Sequence, residues 1–503
     1  MNRALRCSAH QFALLTALLV VIVLTLTVVP AQAQFTLTKI STDTFTNPSS
    51  QHATEVEPDT FAWGSTMVSA FQVGRIYGGG GADIGFSTST DGGKTWTSGY
   101  LPGLTVNFMG GSFSAASDAA VAYDAAHGQW LIATLPIGNN DVVAVSRSQD
   151  GINWGTPIIV TNINSDKNWI TCDNTPTSPF YGHCYVEWDS PASGDLIFMS
   201  TSTDGGLTWG KALTTADQAS GIGGQPLVQP SGQVIVPIAS VFGPMIAFGS
   251  ANGGASWSNT VTIAQVEEHG EAGGLRSAGL PSAAIDGAGN VYVVWSDCRF
   301  RGKSCPANDL VLSTSSDGVT WTTPTRVAAV PATSAIDIFI PGLGVDPATS
   351  GSSAHLAVTF YAYANSNCTQ ATCQLYVGFS GSKDGGKTWI AGKVLAGPMS
   401  LGWLPNTFSG VMVADYLSVS FVNGQPFGVF AVAHPKSGSM FDEAMYTTTT
   451  PLIVSANEPT FSSTADKPIP GVKGDKPRRK YYDEDGEYPI PPSGKALRKS
   501  ARK

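Results

Sequence analysis

A short pattern recurs six times between residues 89 and 389, and it limits this chain to modular folds. Residues 89–96 read STDGGKTW, and residues 202–209 (STDGGLTW) and 382–389 (SKDGGKTW) are near copies. Residues 148–154 (SQDGINW) and 315–321 (SSDGVTW) are one residue shorter, and residues 250–257 (SANGGASW) carry Asn252 in place of the aspartate. Serine and aspartate side chains accept backbone N–H groups inside tight turns. The glycines supply positive φ, and the closing tryptophan has a large apolar surface to pack back onto a sheet.

Each pattern sits in a unit that reads strand, strand, strand, pattern, strand. In the second unit the strands are 119–123, 130–136, 141–148 and 156–160, recognisable by alternation and by the turn residues between them. Four-strand units repeating every roughly 50 to 65 residues point to a propeller rather than a helical solenoid. A further unit at 411–421, 426–434 and 444–449 lacks both the pattern and its fourth strand, and residues 35–42 could supply that strand from the other end of the chain. The expected fold is therefore all-β: a β-propeller of four-stranded antiparallel blades, seven blades favoured over six, closed by an N-terminal strand. The expected domains are a signal peptide over 1–33, the propeller over 34–455, and a disordered, basic, proline-rich tail over 456–503.

The repeated pattern resembles the Asp box, or bacterial neuraminidase repeat, of the sialidases and related β-propellers, and the resemblance spans roughly residues 50 to 450. It implies that the boxes are structural and lie on one face, while a glycan site lies on the opposite face near the axis. Sialidases hold the sugar carboxylate with three arginines, a geometry suited to bidentate pairing, and use a tyrosine nucleophile. Arg75, Arg299 and Arg301 fall in loops of the face opposite the boxes, and Arg276 falls in a link between units. The family's first arginine opens the first strand of its first blade, whereas residues 53–59 here read ATEVEPD. Asp83 stands where the family's acid/base aspartate would lie. Glu267 and Glu271, close to Arg276, read either as an acid/base pair or as a solvated acidic loop. Tyr363, with Tyr361 and Tyr416, is a nucleophile candidate by position. Asp166, Lys167 and Asp415 enter first strands where they could line an axial funnel that binds hydroxyl-rich ligands. The resemblance implies a secreted, sialidase-like glycan-recognising protein, an exo-sialidase-like glycoside hydrolase if catalytic; the alternative is a non-catalytic extracellular propeller binding protein or cell-wall partners.

The chain ends agree with export. Arg3 and Arg6 precede an uncharged run over 12–29, and Ala31-Gln-Ala33 fits a cleavage site; the alternative is an uncleaved anchor. Cys7 lies in that segment. The other six cysteines fall into sequence-local pairs, Cys172 with Cys184, Cys298 with Cys305 and Cys368 with Cys373, expected as disulfides of an oxidising compartment. Their spacing does not resemble zinc knuckles, so neither metal nor cofactor is expected. Residues 34–465 hold 15 Lys/Arg against 31 Asp/Glu, which argues against nucleic acid as a partner of the propeller. The tail from Asp466 holds 11 Lys/Arg against 6 Asp/Glu and could touch an anionic surface. A monomer located outside the cell or on its surface is expected, with a glycan or glycoconjugate as ligand.

Overall fold

The computed structural model describes residues 35–277 and 279–452, residues 460–461, and the backbone of 481–483 and 486–488. The expected signal peptide over 1–33 and most of the expected tail over 456–503 lie outside the described residues. Within the tail, Tyr481–Asp483 pairs with Gly486–Tyr488 as a short antiparallel hairpin.

The described chain is antiparallel β structure with four short 3-10 turns among the described residues. Sequential strands pair into four-strand groups. In the first, Glu55–Trp63 is the inner strand, followed by Thr66–Arg75, Gly81–Ser89 and Thr97–Tyr100. Inner strands Ala115–Asp124, Asp166–Cys172, Ser282–Ile285 and Asp337–Val345 begin four more groups of the same order. In another, the inner strand is split into Gly221–Ile222 and Leu227–Val228. The first two groups touch edge to edge at a single pair, Gly81 with Ala116. In the last, Val419–Val422, Gln425–Ala433 and Glu443–Thr448 are completed by Leu37–Lys39, which pairs antiparallel with Glu443–Thr448. Strands from the two ends of the described chain thus share one sheet, and an edge that would otherwise expose unpaired backbone is covered.

Most hydrophobic clusters lie between one group and the next, while the largest joins the group of Asp337–Val345, the last group and the first through Tyr361, Phe430 and Phe71. Val68, Phe86, Val121 and Trp130 join the first group to the second, and Leu131, Ile170 and Trp188 join the second to the third. Met67 of the first group packs on Val422 and Phe427 of the last. Middle strands are covered on both faces, so Gln129–Ile137 is buried along nearly its whole length, which explains its near-continuous apolar sequence.

The repeated patterns fold as compact turns that staple neighbouring groups. Asp91 Oδ1 accepts the Thr95 N–H at 2.9 Å and Asp91 Oδ2 accepts the Thr95 hydroxyl at 2.6 Å, while Gly93 N–H reaches Ser89 Oγ at 2.8 Å. Asn252 keeps the acceptor, at 3.0 Å from Ser256 N, and its amide nitrogen donates to Ser256 Oγ at 2.8 Å. Trp154 packs on Phe86 of the preceding group and Trp257 on Tyr185 of the preceding group. Arg147 Nε donates to Gly205 O at 2.6 Å, and glycine is favoured at Gly205 by its φ of 73° and by His127, whose Cβ would stand 3.0 Å from an added Cβ.

Candidate functional site

Four inner strands share one irregularity. The register against the second strand slips by one residue between Val56 and Asp59, Ser117 and Ala120, Asp166 and Trp169, and Phe339 and Gly342. In each bulge the residue after the last paired position has positive φ: Glu57 (55°), Asp118 (48°), Lys167 (40°) and Ile340 (50°). Positive φ on a non-glycine residue costs of order 1 to 3 kcal/mol and is retained where the surroundings over-determine it. A bulge re-aims its side chain, and three of these four re-aimed side chains are charged.

These charges meet. Lys167 Nζ lies 2.8 Å from Asp118 Oδ1, 3.2 Å from Asp415 Oδ2 and 3.5 Å from Glu57 Oε1. Asp415 Oδ2 also accepts Arg276 Nη2 at 2.6 Å and Nε at 3.0 Å. Gln72 donates to Glu57 Oε2 and, at 2.8 Å, to Ser117 Oγ, and its carbonyl oxygen accepts Arg75 Nη1 at 3.0 Å. One network therefore ties several inner strands together. Burial lifts the Glu57 carboxyl to about 8 against the opposing pull of Lys167. Burial pushes Asp415 the same way, but Arg276 and Lys167 win and hold it well below the usual carboxylate range. Burial also opposes the Lys167 ammonium, and Asp118, Glu57 and Asp415 outweigh it. At neutral pH the Glu57 carboxyl thus favours its neutral form beside an ionised Asp415.

Next to the network in sequence, inner-strand residues from Asp59, Val121, Trp169 and Ser418 onward line a cavity of about 450 Å³ that runs toward the face carrying the repeated turns. Third strands run parallel to inner strands within a group, so the turns that follow them open on the same side as the inner-strand ends. Asp59, Trp169 and Ser418 line the inner part, and Trp63, Leu227 and Val345 line the outer part. Trp63 is 41% exposed and stacks on Tyr123 at 5.2 Å. Trp169 meets Tyr416 edge-on at 5.2 Å. Several wall side chains accept the backbone N–H of the next inner strand: Ser418 Oγ from Thr60 at 2.7 Å, Asp59 Oδ2 from Val121 at 2.7 Å, Gln225 Oε1 from Ala283 at 2.7 Å and Ser282 Oγ from Leu343 at 2.9 Å. These bonds satisfy inner-strand donors that point away from the ladder partner.

The residues singled out from sequence fall into separate places. Lys167, Arg276 and Asp415 meet in the axial network, and Arg75 joins it through Gln72. Asp166 starts its strand and accepts the Lys167 N–H at 2.9 Å. Arg299 is held by Asp297 at 2.6 Å, and Arg301 by Asp309 at 2.7 Å. Asp83 lies within a strand, not a loop; it accepts the Thr105 hydroxyl at 2.8 Å, and burial lifts its carboxyl to about 7. Tyr363 donates to Ala272 O at 3.0 Å, next to Glu271, whose carboxyl is pushed well up by burial, then by Glu268 and Asp337. Glu267 is exposed at its side chain and accepts the Cys298 N–H through its carbonyl at 2.6 Å. All three cysteine pairs are closed. Cys172 and Cys184 are directly opposed across neighbouring strands, while the other two pairs close short loops. Among the described residues, no group of three or more His, Cys, Asp or Glu is arranged to hold a metal ion.

Glu57, Gln72, Asp59 and Trp63 are the contributors that sequence reasoning missed. One signal was present: Pro58 and Pro341 each follow a bulge residue, and proline inside a strand marks a place where the ladder is already interrupted.

No family model matches the chain, and no curated protein matches it by sequence. Solved structures do. A protein of unknown function from Dyadobacter fermentans DSM 18053 is similar at 15% identity and a TM-score of 0.42, over 67% of this chain and 97% of that one. A Hadza microbial sialidase is similar at 14% identity and a TM-score of 0.41, over 80% of this chain and 66% of that one. An ulvan lyase, described as a new polysaccharide lyase family, is similar at 10% identity and a TM-score of 0.47, over 83% of this chain and 96% of that one.

Proposed function

We propose that this chain is a secreted seven-bladed β-propeller of the Asp-box class that recognises glycans in its axial cavity. The four-strand groups, the stapling turns and the contact of the last group with the first support the ring and its blade number. The three disulfides support an oxidising, extracellular setting.

The observation that carries the binding reading is the cavity wall. It offers the Trp63 and Trp169 rings beside hydroxyl and amide side chains such as Thr60, Gln225 and Ser418. Aromatic faces with a few fixed polar groups suit the apolar faces and hydroxyls of a sugar ring. The test is a glycan array probed with the full-length chain and with Trp63→Ala. Wild-type signals that drop at least about tenfold in the variant support the reading; signals indifferent to Trp63 contradict it.

A hydrolase reading is favoured by one contact, the approach of the Tyr363 phenol to the Glu271 segment at Ala272 O. In it Glu267, Glu271 and Asp83 are the acid/base candidates and Arg276 binds the substrate. Arg75, Arg276, Arg299 and Arg301 each have different protein partners, which supports binding over sialoside hydrolysis. Turnover of a fluorogenic sialoside, lost in Tyr363→Phe, is the result that reverses this preference.

A further inference from the structure

We infer that the cavity admits the uncharged end of a glycan chain, and that it rejects both acid-terminated glycans and the interior of a polymer. This rests on the binding reading above and adds the ligand class to it.

The first observation is that the cavity is blind. Just beyond Asp59 and Trp169 stand Glu57, Asp118, Lys167 and Asp415, each 3% exposed or less. Their mutual ion pairs fill the axis, so a polysaccharide cannot thread through. A chain entering from the open face stops at this floor, and only a terminus reaches Trp169. The cavity volume of about 450 Å³ is near the small end of ligand sites, which suits a short terminal segment.

The second observation is the charge of the wall. Among the described residues that line it, Asp59 and Asp286 are the ionisable ones, and none is lysine, arginine or histidine. The Lys167 ammonium lies behind the floor and is already faced by three carboxyls. A sialic or uronic carboxylate placed here loses hydration and meets no cation, and burying an uncompensated charge is costly. Neutral hydroxyls meet no such penalty and find the serine, threonine and glutamine side chains of the wall.

Matched glycans printed in pairs test this, each neutral terminus beside the same glycan capped with sialic acid and beside one capped with a uronic acid. Neutral termini binding at least about tenfold more strongly than their capped partners, with loss in Trp63→Ala, is the expected result. The half-exposed Leu227 provides a second variant: Leu227→Lys adds a cation to the wall and is expected to shift the ratio toward the acid-capped partners. Capped glycans bound as well as or better than neutral ones overturn the inference while leaving glycan binding standing. Equal binding of a long neutral polymer before and after both ends are blocked also overturns it. Absence of any glycan signal removes the binding reading together with it.

Discussion

Lys167 Nζ sits 2.8 Å from Asp118 Oδ1, and both residues occupy left-handed bulge positions on neighbouring inner strands. Two strained backbones therefore aim opposite charges at one point between the inner strands. With Glu57, Asp415 and Arg276 they form one buried network of opposing charges.

Removing the cation at the centre leaves buried carboxyls facing one another. Lys167→Ala is expected to lower stability by about 3 to 5 kcal/mol, the range for breaking one side of a buried ion pair. Denaturant unfolding measures this. Adding Asp118→Asn to Lys167→Ala is expected to recover part of the loss, because one stranded charge is removed with its partner.

The buried acids make stability fall as pH rises. Burial lifts Glu55 to about 8, Glu57 to about 8, and Asp59 and Asp83 each to about 7, from ordinary values of 4.5 for glutamate and 3.8 for aspartate. Between about pH 4.5 and 8 the folded chain holds protons that the unfolded chain has released, so each step up in pH favours unfolding. The turn carboxylates act in the opposite sense at acid pH. Asp384 is held at about 2, first by the Thr388 hydroxyl, and its contribution is lost as pH falls toward that value. Calorimetric melting is expected to give a higher Tm at pH 5 than at pH 8.5, with a renewed decline below pH 4.

The repeated turns differ in how much they depend on the aspartate. Asp204 Oδ1 accepts the Leu207 and Thr208 N–H groups at 3.0 and 2.9 Å. Asp204→Ala is expected to cost about 1 kcal/mol, kept small by solvent exposure. Asp204→Asn is expected to cost less, since Asn252 already performs the same acceptor role in its own turn. Shifts in the denaturant midpoint measure both.

The cross-strand disulfide Cys172–Cys184 joins positions 12 residues apart. Replacing both cysteines with serine is expected to destabilise the chain by about 2 to 3 kcal/mol, mainly by freeing the unfolded ensemble. Urea unfolding of oxidised wild type against the double variant checks this.

The strand order was legible because turn chemistry is local. Serine, aspartate, glycine and tryptophan at fixed offsets specify the turn without help from the rest of the chain, and alternation marks the strands beside it. The N-terminal strand was legible from a gap, since the last group lacked its fourth strand and residues 35–42 had no other place. The axial network was not. Whether Lys167 points into solvent or into a buried cluster depends on a one-residue register slip against Cys184–Ser190, and that slip is a property of the paired sheet. Lys167 and Asp415 were noticed as charged residues near strand entries and Arg276 in a link between units, yet Glu57 was passed over inside a run that reads as an ordinary strand. The cavity was also assigned by the family resemblance to the face opposite the turns. In this chain the inner strands carry ion pairs toward that face, and the cavity of about 450 Å³ lies on the turn side of them.

A crystal structure of the chain soaked with a neutral-terminated glycan selected on the array tests the central claim most directly. The account predicts electron density for the terminal sugar inside the axial cavity, against the Trp63 and Trp169 rings and short of the Lys167 network. Density for the glycan on the opposite face, at Arg276 or Tyr363, or an empty cavity beside a glycan bound elsewhere, would contradict it.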